Sequence, residues 1–253
     1  MDCPKFGGSN YYNYKGFHSI VLMAICDASY KFTYVNIGNY GRDNDASVFS
    51  RSDIYNTFDT NSNDIPAPEQ IAEGETELIP YFLVGDEIFA LKPWLMKPYP
   101  GRGHGDRERI FNYRLSRARR TIENSFGILS ARWRVFMRPI CAEASTVDKI
   151  VKACSCLHNY LLCTDNVSYV PRGFIDSNSD EGMVEGDWRQ IVKDDANPAL
   201  ANPGRLATRN FTLEAKRVRE LMTDFVNSEV GANRCLWQVS YVQRTGQRSG
   251  HFE

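Results

Sequence analysis

Two neighbouring stretches decide the fold: YFLVGDEIFALKPWLMKPY at Tyr81–Tyr99 and RIFNYRLSRARRTIENSFGILSARWRVF at Arg109–Phe136. An apolar run at Leu78–Val84 ends at Gly85 and Asp86. This pattern predicts a buried strand with a carboxylate at the sheet edge, where α/β proteins bind ligands. The alternative is that Asp86 only forms a turn after the glycine.

The second stretch predicts a long helix from about Arg107 to Phe136. Its apolar residues recur at three- and four-residue spacing and define one stripe. The stripe consists of Leu115, Ala118, Ile122, Phe126, Leu129 and Trp133. Glu123 lies beside this stripe, so its carboxylate could face a cleft. The alternative is an i−4 ion pair with Arg119, which contributes a few tenths of a kcal/mol. Gly127 in mid-helix costs about 1 kcal/mol relative to alanine, which indicates a kink or a close contact.

Charge is segregated along the chain. The window 102–138 contains ten arginines, no lysine and three acids, giving a net charge of +7, whereas the remaining residues carry −8. Guanidinium groups bind phosphate bidentately and never deprotonate, so the window is a candidate phosphate-binding surface. The alternative is a solvated helix face.

Length and composition are those of a globular protein. The 253 residues can form one core, or one domain of roughly 150 residues with an extension. No apolar run approaches the roughly 18 residues that span a bilayer, and the N-terminus lacks the pattern of a signal peptide. We therefore predict a soluble, intracellular protein.

Seven cysteines make an odd count without framework-like spacing, which favours reduced thiols in a cytosolic or nuclear protein. Cys154, Cys156 and His158 invite a zinc interpretation, since Cys154 and His158 share a helix face. No second ligand pair is found elsewhere in the sequence. Packing in a helix core is therefore the favoured interpretation.

The first half of the chain predicts a hairpin. His18–Cys26 is almost wholly apolar, and Phe32–Ile37 is rich in β-branched and aromatic residues. Asn44 or Asp45 is the predicted N-cap of a short helix, and on local grounds capping alone explains Asp45. Residues 59–76 are polar and predict a surface loop.

The second half predicts two further helices. One follows Pro139, begins at Ser145 or Thr146, and has a core face. That face consists of Val147, Ile150, Val151, Cys154, Leu157 and Leu161. Residues 164–210 are acidic and predict an irregular linker. The second helix is amphipathic and is predicted from about Thr212 to Ser228. The tail after Gln243 is predicted to be loose. The predicted domains are therefore 1–163, 164–210 and 211–253.

Four segments, in this order, resemble the PIF/Harbinger transposases and the Harbinger transposase-derived nucleases. They read NYYNYKGFHSIVLMAICDASYKFTYVNIGNYGRDNDASVFSRS, LIPYFLVGDEIFALKPWLMKPYP, FNYRLSRARRTIENSFGILSARWRVF and VDKIVKACSCLHNYL. The resemblance covers roughly Cys3 to Cys163. A weaker resemblance continues through DWRQ and AKRVRELMTDFVNSEVGANRCLWQ.

The resemblance implies an α/β fold: an RNase H-like DDE catalytic domain with a mixed sheet of about five strands flanked by helices, followed by a C-terminal helical extension. The family's acids match Asp45, Asp86 and Glu123, whereas Asp27 matches a turn position. The three acids are expected to bind Mg²⁺ or Mn²⁺, with Asp86 bridging two metals. Two such ions activate water and stabilise the leaving oxygen in phosphodiester hydrolysis.

One departure concerns the first catalytic aspartate, which the family carries in an upstream strand, typically within DGKH. This sequence starts at Met1 and Asp2, so that strand and its acid are expected to precede the first residue. Asp2 has no strand before it and is not expected to substitute. The activity of the chain without this acid is therefore open.

The resemblance also implies the partners. Arginines of the helix around Glu123 are expected to contact DNA backbone phosphates. They are Arg114, Arg117, Arg119 and Arg120. Sequence recognition in the family belongs to a Myb-like partner protein, and the expected location is the nucleus. The expected function is a metal-dependent DNA endonuclease; the alternatives are an inactive DNA- or partner-binding module and a phosphohydrolase of small substrates.

Overall fold

The computed structural model of the chain describes residues 8–60, 65–73, 76–101, 103–179, 182–193 and 211–248. Two compact units are interleaved along the sequence. Unit 1 consists of Met1–Tyr55, Arg120–Ser179 and Met183–Gly204, and unit 2 of Asn56–Arg119, Asp180–Gly182 and Arg205–Glu253. Among the described helices, none has the length and apolar character needed to cross a bilayer.

The predicted hairpin opens unit 1. Strands β1 (Ile20–Cys26) and β2 (Phe32–Tyr40) pair antiparallel. The turn between them is held by Asp27, whose Oδ1 accepts from the backbone N–H groups of Ser29 and Lys31. The hairpin prediction is therefore confirmed, with β2 extending three residues beyond the predicted end.

Two short helices follow, α1 (Asp45–Ser50) and α2 (Asp53–Asp59). Asn44 is the N-cap of α1, since its side chain accepts from Ser47 N–H at 2.8 Å. Asp45 is thus the first helical residue rather than the cap. The positive end of the helix dipole favours a carboxylate there.

The long helix α3 is confirmed at Asp106–Arg132 and is followed by a 3₁₀ turn at Arg134–Phe136. The predicted apolar stripe of α3 is confirmed in part: Leu115 and Leu129 are buried, whereas Ala118 is exposed. Residues up to 119 belong to unit 2 and the rest to unit 1.

Helix α4 (Ala144–Thr164) packs against β2, with Val147, Val151 and Cys154 in the same apolar core as Leu129. Two details differ from prediction. Glu143 occupies the N-cap and makes no side-chain cap bond, so Ser145 and Thr146 lie inside the helix. Leu157 is exposed, because the buried face continues to His158 instead.

His158 is fully buried in a hydrogen-bond network, which supports the core-packing interpretation. Its Nδ1 lies 3.0 Å from the Tyr169 hydroxyl and its Nε2 lies 3.0 Å from the Tyr30 carbonyl oxygen. Trp133 Nε1 also donates to the Tyr169 hydroxyl, at 3.1 Å. Cys154 is buried beside this network whereas Cys156 is exposed. The six cysteines of the described residues are free thiols, and Cys3 lies outside them.

Acid is expected to destabilise the chain through His158. Burial lowers the pKa of His158 below its ordinary value of about 6.5, so the unfolded chain gains a proton at a higher pH than the folded chain. The contribution of the neutral His158 to the free energy of unfolding is therefore complete above pH 6.5. It decreases as the pH falls below that value toward the lower pKa of the folded chain. Urea unfolding at pH 7.5 and pH 5.5 measures the loss. The variant His158→Gln should lose less on acidification, and equal losses in both proteins would contradict the assignment.

Residues 164–210 were predicted to be irregular, which is wrong for 166–193. This segment contains α5 (Asn166–Tyr169), a hairpin of β7 (Ser177–Ser179) and β8 (Gly182–Val184), and α6 (Asp187–Lys193). Tyr169 and Phe174 are buried in one cluster with Ile128 and Leu162. These apolar residues anchor the segment, although its composition is acidic. Residues 194–210 lie outside the described residues.

Unit 2 contains the two remaining short strand pairings of the described residues. Strand β3 (Glu69–Gln70) pairs antiparallel with β4 (Leu78–Ile79), and β5 (Leu83–Val84) pairs parallel with β6 (Leu95–Met96). The single strand predicted over 78–84 is split because Pro80 has no N–H to donate to a ladder. The described strands thus form four two-stranded sheets instead of the expected mixed sheet of about five strands.

The C-terminal helices complete unit 2. They are α7 (Leu213–Asn227), α8 (Glu229–Asn233) and α9 (Gln238–Arg248). Helix α7 matches the helix predicted from about Thr212 to Ser228, and Thr212 is its N-cap, since its side chain accepts from Ala215 N–H. Apolar residues of α7 share one core with Met96, Phe111 and Leu115. The tail prediction is wrong up to residue 248, because α9 extends to that point.

Candidate active site and its supporting contacts

Asp86 lies two residues after the end of β5, which is a two-residue strand with Leu83 half-buried and Val84 exposed instead of the buried strand predicted. Its Oδ1 accepts from the Glu87 backbone N–H at 2.6 Å, and its Oδ2 accepts from Arg119 Nη2 at 2.9 Å. Both side chains of this ion pair are 23% exposed. The carboxylate therefore has one oxygen in its own turn and the other on a guanidinium group.

A buried lysine holds the turn that follows Asp86. The ammonium group of Lys97 donates to the carbonyl oxygens of Glu87 and Phe89, at 3.1 and 2.7 Å. Burial lowers the pKa of Lys97, and nearby Arg219 lowers it further. The backbone N–H of Phe89 in turn donates to the carbonyl oxygen of Asp86. Lys97 thus fixes the backbone that carries the Asp86 carboxylate.

Glu123 projects from α3 in unit 1 and is 47% exposed. Its nearest basic group is Arg189 of α6, with Nη2 3.9 Å from Oε2. The i−4 ion pair with Arg119 does not form, since Arg119 contacts Asp86. Glu123 therefore makes only a long contact with this cation and retains access to solvent.

Arg189 is held mainly by Asp176, whose side chain is fully buried. The guanidinium group donates from Nε and Nη2 to both carboxylate oxygens, at 2.5 to 3.1 Å. These hydrogen bonds raise the pKa of Arg189. Asp176 also accepts from the buried Gly186 N–H at 2.9 Å. Asp176 thus positions the cation that approaches Glu123.

Helix α6 packs closely on α3 beside Glu123. The indole of Trp188 lies over Gly127, where a Cβ atom would come within 2.3 to 2.6 Å of three ring atoms. Asn124 Oδ1 accepts from Trp188 Nε1 and from the Asp176 backbone N–H, at 2.9 and 3.1 Å. The glycine in mid-helix is therefore explained by a close contact.

The four predicted DNA-contacting arginines are half-buried. Arg114 donates to Gln238 Oε1, Arg117 to Cys235 Sγ, and Arg119 to Asp86. Arg117 also lies over the ring of Trp237, 4.9 Å from its centre. Arg120 has a buried Nη1 without a hydrogen-bond partner among the described residues. Three of the four guanidinium groups thus serve the chain's own packing.

The three predicted metal ligands differ in their surroundings. Asp45 and Glu123 belong to unit 1 and Asp86 to unit 2. Carboxylate oxygens suit Mg²⁺ or Mn²⁺. Within the described ranges, however, no three or more His, Cys, Asp or Glu side chains form a group that could hold a metal ion. The charged partner of Asp86 in this structure is the Arg119 guanidinium, 2.9 Å away. Asp2 lies outside the described residues.

Residues 4–159 of the chain match a known protein family. A family profile described as DDE superfamily endonuclease matches residues 4–159, which is more than half of the chain. The chain belongs to the DDE superfamily endonuclease family. Asp45, Asp86 and Glu123 all lie inside the matched region, whereas Asp176 and Arg189 lie beyond it.

Curated relatives of this DDE-family chain support the predicted resemblance to Harbinger-derived proteins. An Arabidopsis thaliana protein named "Protein ALP1-like" is 30% identical over 149 residues, which is 57% of this chain and 35% of that protein. The Mus musculus protein named "Putative nuclease HARBI1" is 28% identical over 169 residues, 64% of this chain and 43% of that protein. The Xenopus laevis protein of the same name is 24% identical over 172 residues, 65% and 44% of the two chains. The chain thus spans less than half the length of these relatives. No solved structure matches it.

Sequence reasoning missed three supporting residues of this DDE-family chain. Lys97 lies within LMKPY, where a lone lysine in an apolar run could have indicated a buried cation. Asp176 and Arg189 lie in the segment interpreted as a linker. The weaker resemblance to the family at DWRQ was the available signal, because a tryptophan is highly buried on average and so argues against a solvated loop.

Proposed function

We propose that the chain is a metal-dependent DNA endonuclease of transposase descent, built on an RNase H-like catalytic domain. The observation that carries the proposal is the family match over residues 4–159, which includes all three predicted acids. The position of Asp86, two residues after β5, adds support, since ligands of α/β proteins bind at strand ends. Asp45, Asp86 and Glu123 are the proposed ligands of Mg²⁺ or Mn²⁺.

DNA is the proposed substrate because the arginine-rich window carries a net charge of +7. Backbone phosphates would contact Arg114, Arg117, Arg119 and Arg120 after these groups exchange their present partners. Such contacts give affinity that depends on salt and not on sequence. For this reason we propose that a Myb-like partner protein supplies sequence recognition, and that the complex acts in the nucleus.

A second candidate function is DNA binding without cleavage. The observation that favours it is the 2.9 Å ion pair between Arg119 and Asp86, which occupies one oxygen of a proposed metal ligand. An uncleaved DNA duplex would then be retained by the arginines alone. This candidate predicts binding that weakens steeply with salt and no strand breaks.

Plasmid nicking in the presence of Mn²⁺ distinguishes the two functions. We expect the wild-type chain to convert supercoiled plasmid to the open-circular form, and Asp86→Asn to abolish the conversion because it removes a charged ligand. Chelation with EDTA should stop the wild-type reaction. Nicking by Asp86→Asn at the wild-type rate would contradict the endonuclease proposal, because cleavage would then not depend on a proposed metal ligand.

Asp27→Asn is the matched control for this experiment. Asp27 is also an acid at a strand end, but its Oδ1 accepts two backbone N–H groups of its own turn. An asparagine Oδ1 can accept the same hydrogen bonds. We therefore expect Asp27→Asn to nick plasmid as the wild type does. Salt-sensitive plasmid binding without nicking in any protein would support the second candidate.

A further inference from the structure

Unit 1 has two exposed tyrosines near its start, Tyr12 and Tyr14, and a third, Tyr40, whose ring contacts Tyr11, the residue before Tyr12. Tyr12 is 50% exposed, Tyr14 63% and Tyr40 41%. The ammonium of Lys15 lies 5.8 Å from the Tyr14 ring centre, and the Arg42 guanidinium lies 6.0 Å from that of Tyr40. We call Tyr12, Tyr14, Tyr40, Lys15 and Arg42 the tyrosine surface.

Buried polar contacts order the turn that carries Tyr12 and Tyr14. The Asn13 side chain is buried; its Oδ1 accepts from the N–H groups of Lys15 and Phe17, and its Nδ2 donates to Ser19 Oγ at 2.8 Å. Tyr12 also forms a backbone bridge with His18, and their rings meet edge to face at 5.3 Å. The tyrosines are therefore presented on an ordered turn.

The Tyr40 side of the surface is fixed in the same way. Tyr40 meets the Tyr11 ring edge to face at 5.1 Å. The backbone packs tightly at Gly41, where a Cβ atom would come within 2.6 Å of the Tyr11 carbonyl oxygen. Arg42 N–H donates to the Asn10 carbonyl oxygen. An ordered aromatic surface of this kind loses little entropy when it binds a ligand.

The charge of the surface selects an anionic ligand. Residues 8–26 contain Lys15 and no aspartate or glutamate, and Arg42 adds a second cation. The nearest acid in sequence, Asp43, is paired with Arg51 at 2.8 Å. Exposed rings beside cations are the combination that binds single-stranded nucleic acid, because bases stack on the rings and phosphates meet the cations.

We infer that the tyrosine surface binds unpaired nucleotides of DNA by base stacking. In a duplex the faces of the bases are covered by their neighbours, so only unpaired or unstacked segments can use the rings. Asp45 follows Arg42 by three residues, so unpaired bases would be held near a proposed catalytic acid. The choice of DNA as the polymer rests on the proposed function, whereas the stacking chemistry does not.

Fluorescence anisotropy with the full chain tests this inference in EDTA, so that cleavage plays no part. The probes are a labelled 15-nucleotide oligothymidylate, its RNA counterpart and a hairpin duplex. Wild-type protein should prefer the single-stranded DNA. Tyr14→Leu and Tyr40→Leu should each weaken this binding by about fivefold or more, and the double variant more than either, while duplex binding changes little.

Two variants control for the loss of a ring as such. Tyr14→Phe keeps the stacking face and should bind as the wild type does. Tyr160→Leu removes a tyrosine on α4 that is also exposed and should leave binding unchanged. Wild-type affinity for single-stranded DNA in the Tyr14→Leu/Tyr40→Leu variant, with its circular dichroism intact, would overturn the inference, as would tighter binding to RNA.

The proposed function can fail separately. If Asp86→Asn nicks plasmid as the wild type does, or nothing nicks, while single-stranded DNA still needs the tyrosines, the endonuclease proposal falls and the stacking surface stands. If nicking requires Asp86 but the tyrosine variants bind normally, the stacking surface falls and the endonuclease proposal stands.

Discussion

Asp176→Ala is expected to lower the free energy of unfolding by about 3–5 kcal/mol, the usual cost of removing one partner of a buried ion pair. The Asp176 side chain is fully buried and accepts three hydrogen bonds from Arg189. The variant leaves the Arg189 guanidinium without its main anion. It also leaves the buried Gly186 N–H without an acceptor. Urea unfolding followed by tryptophan fluorescence measures the change, since Trp188 adjoins the pair.

Glu185→Ala provides the contrast in the same segment. Glu185 pairs with Lys193 at 3.2 Å, and both side chains are more than half exposed. A surface pair of this kind contributes at most about 1 kcal/mol. If Asp176→Ala were no more destabilising than Glu185→Ala, the buried pair would not anchor the segment.

The same variant has a consequence for Glu123. With Asp176 removed, Glu123 is the remaining carboxylate near Arg189, whose Nη2 already lies 3.9 Å from it. A closer approach would neutralise a proposed metal ligand. Asp176 therefore acts in two ways: it holds α6 in place, and it draws the cation away from Glu123.

The long helices could be predicted because their signal is local and repeated. Over the 27 residues of α3 and the 21 of α4, apolar side chains recur often enough to define a face. The two-residue strands could not be predicted in this way. Leu83 is a strand residue only because Leu95 lies beside it, and no local pattern specifies that partner.

The candidate site could also be predicted only where the sequence signal is local. The position of Asp86 after a strand could be predicted, because the apolar run and Gly85 mark the strand end. The partner of Arg119 could not. The local rule favours Glu123 at i+4, a pair worth only a few tenths of a kcal/mol, and the half-buried Asp86 from a distant segment is the partner that forms.

Asp176 and Arg189 illustrate a third case. Their segment is rich in acids, so its composition predicts solvation. A buried ion pair depends instead on the few apolar neighbours that enclose it. Here Phe174 is buried and Trp188 packs beside Arg189, with the guanidinium 4.5 Å from the ring centre. The enclosure depends on the packing of α6 on α3, which no local sequence pattern specifies.

Gly127→Ala should test that packing with an effect that reverses sign in a second background. In the wild-type chain we expect a loss of about 3 kcal/mol, the upper end of the usual range for overpacking. The new Cβ would lie 2.3 Å from a Trp188 ring carbon. The ring cannot move away freely, because its Nε1 donates to Asn124 Oδ1 at 2.9 Å.

In the Trp188→Leu background the same substitution should stabilise the chain. The indole is then absent, and alanine is favoured over glycine in a helix interior by about 1 kcal/mol. Urea unfolding of the wild type, the two single variants and the double variant gives both differences. Destabilisation by Gly127→Ala of similar size in both backgrounds would show that Trp188 does not require the glycine. A reversal of sign would show that α3 gives up about 1 kcal/mol of helix stability at this position so that α6 can pack beside Glu123.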